Sequence, residues 1–195
     1  MSVFEFVLVS FAIIMGLGVS EVLAGWADQI RARQRLRPFF LQLGSSAFVL
    51  YLSLQYLWML WLGRNVDWTF PLFLGVAGPG LALALAARVS KVDTSIDAPP
   101  VREQYFGNSP AVYSLLMLFP VLILLMSFLS GLREVVPDPP DLVAVSAVRL
   151  LMLAVYVCLA LSKNERVHAL GLVVLWLGAV GFMTRLGPRL AEGAP

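Results

Sequence analysis

Apolar residues fall in long runs separated by short polar interludes, and six runs read as helical spans at about 4–27, 39–62, 69–88, 110–131, 141–162 and 167–185. Several reach about 18 to 25 apolar residues, enough to cross a hydrocarbon core of about 30 Å. The punctuation agrees with that division. "RARQRLRP" follows the first span, "GRNVDW" the second and "REVVPDPPD" the fourth. Pro139 and Pro140 suit the first turn of span five, with Asp138 or Asp141 near its cap. The longest polar stretch, 89–109, has mixed charges and two prolines and is expected to be a flexible or partly docked loop.

Composition turns this pattern into a class. Of 195 residues, 59% are hydrophobic and 13% charged, about half the charged share of a soluble domain, so the chain lacks the polar surface to face water on all sides. The expected fold is an all-α integral membrane bundle of six transmembrane helices in one domain, 1–195, with the lipid bilayer as its first partner. A net charge of +2 gives no footprint for nucleic acid. Cys158 and His168 are each the single residue of their kind, which leaves no disulfide and no His/Cys metal cluster, and no cofactor is implied. In its apolar run, Cys158 reads as a buried inert thiol.

Charge distribution sets an expected direction. Nine basic residues (Arg31, Arg33, Arg35, Arg37, Arg88, Lys91, Arg102, Lys163, Arg166) follow spans one, three and five or lie in their loops, against four (Arg64, Arg133, Arg185, Arg189) on the other side. The positive-inside rule then puts both termini outside and the Arg-rich first loop in the cytoplasm. Four Arg behind the first span, with no basic residue ahead of it, reverse the charge order of a secretory signal, so the helix is expected to be retained. Trp58, Trp61 and Trp68 around the second turn, and Trp26, fit membrane–water boundaries. The stripe Phe48, Tyr51, Gln55 and Trp58 reads as anchoring and helix packing rather than as a ligand groove.

The first span carries two features. Ala12, Gly16, Ser20 and Ala24 recur every four residues, a small-residue face expected to press against another helix, in this chain or in a second copy. On the adjacent face Glu21 lies between Gly18 and Gly25, a notch that a partner side chain could enter. An intramembrane carboxylate costs several kcal/mol unless it meets a partner, a proton or water. Arg149, near the middle of span five, is the expected partner, with Glu21 about 5–10 Å below the midplane at about 1.5 Å per residue. Ser146 and Tyr156 share the Arg149 face and could complete its hydrogen bonds. A structural pair is favoured over a transport site. At a shallower depth, the same carboxylate would simply reach water.

Gly78, Pro79 and Gly80 interrupt span three, and Pro120 interrupts span four. Paired breaks are the sequence pointer to a transporter site. No ionisable residue adjoins Pro79 or Pro120, so tolerated kinks are the preferred reading. No metalloprotease, hydrolase-elbow, P-loop, dinucleotide or CxxC motif occurs, and Asp93 with Asp97 is a weak metal signal.

"FEF", "GLGVSEVLAG", the Arg-rich turn and "LQYLWMLWLGRNVDWTF" leading into a Pro-containing third span together resemble a group of short, uncharacterised bacterial polytopic membrane proteins. The resemblance covers roughly the first 80 residues and implies a bacterial cytoplasmic-membrane protein, with no activity to carry over. Two functions follow as expectations. The first is a non-enzymatic assembly, accessory or sensory component, with a possible homo-oligomer through span one. The alternative is a small solute or ion transporter or channel using Glu21, Arg149 and the interrupted spans.

Overall fold

The computed structural model describes residues 2–34, 39–62, 68–129 and 139–192, with side chains left aside at 59, 61–62, 71, 123–129, 139–146, 182 and 185–192. Six α-helices occur among them: α1 Val3–Arg31, α2 Phe40–Leu62, α3 Phe70–Val89, α4 Val101–Leu129, α5 Pro139–Leu161 and α6 Glu165–Glu192. Local chemistry sets the first start. Ser2 caps α1 through a reciprocal box in which Glu5 N donates to Ser2 Oγ at 3.1 Å and Ser2 N donates to Glu5 Oε2 at 2.7 Å.

Four helices are long and apolar enough to cross a membrane, over Val3–Arg31, Phe40–Trp58, Leu72–Val89 and Val101–Leu122. Apolar side chains cover much of the outside, including Ile13 and Leu17 on α1, Leu54 on α2, Leu85 on α3, Leu150 on α5 and Leu170 and Leu177 on α6. An apolar surface of that extent is matched by lipid rather than by water.

The helices pack as a ring in the order α1–α3–α4–α5–α6–α2, and α2 also touches α3 and α4 across it. Phe11, Met15, Phe48, Val49, Leu83, Leu116, Tyr156, Leu159 and Leu175 fill the centre. Phe48 and Tyr51 meet Trp176 of α6 at ring-centroid distances of 5.6 and 5.7 Å, so that stripe is packing, whereas Trp58 at its end is exposed. Trp26 donates from Nε1 to Ser46 Oγ at 2.8 Å and so ties α1 to α2.

The expected breaks are continuous helix. Pro79 lies inside α3 and Pro120 inside α4. Pro79 offers no N–H to the Gly75 carbonyl, and at the next residue the Tyr56 hydroxyl of α2 donates to the Val76 carbonyl, which ties α2 to that turn. Gly78 and Gly80 serve close approach. A Cβ on Gly78 would meet Leu122 at 3.2 Å, and one on Gly80 would meet Phe11 and Tyr56 at 3.3 Å.

The expected loop 89–109 is also shorter than its polarity implied, because α4 begins at Val101. The Pro100 carbonyl accepts from Glu103 N and Gln104 N, which starts the helix there. Pro110 deprives the Phe106 carbonyl of its usual donor, and the Ser109 hydroxyl supplies one at 3.3 Å. Cys158 is exposed on the outer face of α5 rather than buried. Arg35, Arg37, Arg64, Arg133 and Asp138, used in the sequence reading, lie outside the described residues, as do the side chains of Asp141, Trp61, Ser146, Arg185 and Arg189.

Candidate functional site at one end of the bundle

α1 and α4 each have 29 residues, about 43 Å at 1.5 Å per residue, longer than a hydrocarbon core of about 30 Å. The surplus falls where α1, α3 and α5 finish and α2, α4 and α6 begin. Polar side chains that join one helix to another gather at this end.

Glu21 is the hub of its charged part. Its Oε1 accepts from Arg88 Nη1 at 2.7 Å and its Oε2 from Lys91 Nζ at 3.4 Å. Lys91 Nζ also lies 3.8 Å from Asp28 Oδ2, and Arg31 Nη1 lies 3.2 Å from Asp28 Oδ1. Alternating charges thus tie the last turns of α1 to the end of α3. The flanking glycines make room for α3. A Cβ on Gly18 would stand 3.0 Å from Ala84 Cα, and one on Gly25 would stand 3.4 Å from Lys91 Cγ.

The expected Glu21–Arg149 pair is therefore replaced. α1 packs on α3 and α2, whereas α5 packs on α4 and α6, so the ring order separates the two charges. The carboxylate side chain is 25% exposed and its partner Arg88, in the last turn of α3, is 73% exposed, so Glu21 is paired at the open edge of the α1–α3 seam and not with Arg149. Arg149 is half-buried and has no hydrogen-bond or ion-pair partner among the described residues; Tyr156 is buried in the core.

The small-residue face turns outward as well. Ala12, Gly16, Ser20 and Ala24 are exposed, and nothing lies within 4 Å of a Cβ built on Gly16. Packing uses the neighbouring stripe of Val7, Phe11, Met15, Gly18, Val22 and Gly25. Shape explains the choice: Phe11 and Met15 fill the centre of the ring while Gly18 admits the α3 backbone.

A second network is neutral and buried. Tyr105 Oη lies 2.7 Å from His168 Nδ1 and 3.0 Å from Tyr113 Oη, which lies 3.3 Å from Ser45 Oγ. His168 Nε2 is 2.9 Å from the Ser162 carbonyl. A carbonyl only accepts, so Nε2 carries the proton of the neutral ring and Nδ1 accepts from Tyr105. Tyr105 has then used its one proton, so the single proton of Tyr113 serves either Tyr105 Oη or its other acceptor, Ser45 Oγ. The result is an ordered relay from α2 through α4 to α6 and the α5–α6 turn.

The segment before α4 is pinned to it. Gln104 Oε1 accepts from Asp93 N at 2.7 Å, while its Nε2 donates to the Asp93 carbonyl at 2.9 Å and the Pro99 carbonyl at 2.7 Å. The Asp93 carboxylate accepts from Ser95 N and Ser95 Oγ, so it closes a turn. Among the described residues no three His, Cys, Asp or Glu side chains gather as a metal site.

No family model, curated protein or solved structure matches this chain. Sequence reading missed Gln42, Ser45, Tyr105, Tyr113 and His168 as a group. The signal available was polar residues inside apolar runs, in "FLQLGSSAF" and "QYFGNSPAVY". What was missing was the pairing of those runs with each other.

Proposed function

We propose that the chain is a non-enzymatic component of the bacterial cytoplasmic membrane with an assembly, accessory or sensory role, crossing the bilayer six times with both termini outside. The observation that carries this reading is the division of the bundle. A closed apolar centre of Phe11, Met15, Phe48, Leu83, Leu116 and Leu175 adjoins one end where hydrogen bonds and ion pairs join the helices. That end carries Arg31, Arg88, Lys91, Arg102, Lys163 and Arg166 beside as many carboxylates, and its count of Lys and Arg, rather than its net charge, suits the cytoplasmic side. Its pinned loop and buried relay form a rigid polar platform on which a cytoplasmic partner or signal can act. The resemblance to short bacterial polytopic proteins agrees with this setting and adds no activity.

The transporter alternative draws less support. Continuous helix through Pro79 and Pro120, and a Glu21 held by Arg88 of α3 and by Lys91 just beyond it, give no midplane site of the kind an alternating-access protein needs among the described residues. Purified protein in sealed vesicles is expected to leave ion and proton gradients intact. A flux abolished by Glu21→Gln or Arg149→Gln would replace the first reading with the second. Labelling of single cysteines at positions 33 and 164 only from the cytoplasmic side is the matching test of orientation. The outward face of Ala12, Gly16, Ser20 and Ala24 is the proposed contact for a second copy.

A further inference from the structure

Gln42 lies in the first turn of α2 and is only 4% exposed. Its Nε2 donates to the Ser90 carbonyl at 3.3 Å, and its Oε1 is buried with no hydrogen-bond partner among the described residues. Turning the amide over does not help, because it would set Oε1 against the Ser90 carbonyl, acceptor against acceptor. A buried acceptor of this kind calls for a donor from outside the protein.

Gln42 lines a cavity of about 20 Å³ between α2, α4 and residues 90–92, and Ser45, Asn108, Ser109, Val112 and Tyr113 share its wall. A single water needs about 10–15 Å³ and two to four polar partners. The wall also excludes charged occupants. No carboxylate lines it to hold a cation, and the orphaned Gln42 Oε1 repels an anion.

We propose that this cavity binds one neutral hydrogen-bond donor of water size, a water molecule held by Gln42 Oε1 and the Ser45–Tyr113 end of the buried relay. The bound water gives that relay an entry point. Hydrogen bonds then run from the cavity under residues 90–92 through Ser45, Tyr113 and Tyr105 to His168 and the Ser162 carbonyl. His168, with no exposed surface, thereby exchanges protons along a defined path rather than by helix opening. The inference stands whether or not the chain transports anything.

The test is magnetisation transfer from water to the Val112 methyls and Gln42 amide in isotope-labelled protein in nanodiscs. A cross-peak from a long-lived water at both positions is expected, and its absence overturns the proposal. Val112→Ile, which adds one methylene to the wall, is expected to remove the cross-peak at Gln42 and lower Tm by about 2–8 °C. A dry cavity would give the opposite sign, a raised Tm from better filling. Val112→Ala leaves the occupant its space and should keep the cross-peak at Gln42, which covers the case in which the larger residue fails to fold. Replacing sodium chloride with ammonium chloride should change nothing; an ammonium-specific shift at Gln42 would overturn the assignment to a neutral donor.

Discussion

Glu21 sits between two cations of unequal exposure, and a set of double-mutant cycles separates their contributions. At 3.4 Å the Glu21–Lys91 attraction is about 5 kcal/mol at an effective dielectric of 20 and about 1 kcal/mol in bulk water. The two side chains are 35% and 25% exposed, so loss of hydration offsets much of the larger figure and leaves a coupling of about 1–2 kcal/mol. Arg88 makes the shorter contact, 2.7 Å, yet its side chain is 73% exposed. Solvent screening and the entropy of a free arginine hold its coupling to about 0.2–1 kcal/mol. Arg149, on a helix that packs on α4 and α6, should show none beyond the ~0.3–0.5 kcal/mol scatter of distant sites. Glu21→Gln is to be combined in turn with Lys91→Met, Arg88→Met and Arg149→Met, with equilibrium unfolding in one detergent as the assay. High salt should erode the Arg88 coupling before that of Lys91. A Glu21–Arg149 coupling above about 1 kcal/mol, or none between Glu21 and Lys91, would refute the reasoning from geometry.

Gly18→Ala should cost about 1–3 kcal/mol in detergent, because its Cβ would lie 3.0 Å from the Ala84 backbone, whereas Gly16→Ala should leave an isolated protomer no less stable. Equal effects at the two positions would mean that the other face of α1 packs inward. Gly16→Cys should crosslink two copies under oxidation if the outward face is the contact between them; a wholly uncrosslinked product would remove that proposal. Tyr105→Phe leaves His168 Nδ1 without its donor, for an expected loss of about 1–3 kcal/mol in thermal or chemical unfolding. An unchanged melting curve would show that the relay contributes nothing to stability. Cys158, exposed on α5 beside Val157 and Leu161, should resist water-soluble maleimide in intact membranes and react with a lipid-soluble thiol reagent. Rapid labelling by the water-soluble reagent would place that face in water.

The polar end shows why part of the site could be read from the chain and part could not. Glu21 stood out because a carboxylate in an apolar run is costly wherever it lands, and Gly18 and Gly25 beside it marked a close approach before any partner was known. Its partner was misread because Arg149 is the cation buried deepest in an apolar run, whereas Arg88 and Lys91 looked like ordinary loop charges. Electrostatics favours the nearest oppositely charged group that can stay hydrated, and the packing of α1 on α3 supplies two of them. Tyr105 was hidden by its setting in a polar stretch, and His168 by being the one histidine in the chain.

What the sequence by itself determined is the set of helices. Apolar run length measured against bilayer thickness and the prolines at 139–140 are local signals that act within a few residues of where they stand, whereas the prolines at 99–100, read as part of a loop, mark the start of α4. Tertiary structure alone decided which way each helix faces. A span that is apolar all round has no polar stripe to orient it, so rotation about its axis is settled by shape. The face of α1 with Phe11, Met15 and Gly18 fits the ring better than the one with Ala12, Gly16 and Ser20. From that one rotation follow the pairing of Glu21 with α3 and the separation of Glu21 from Arg149.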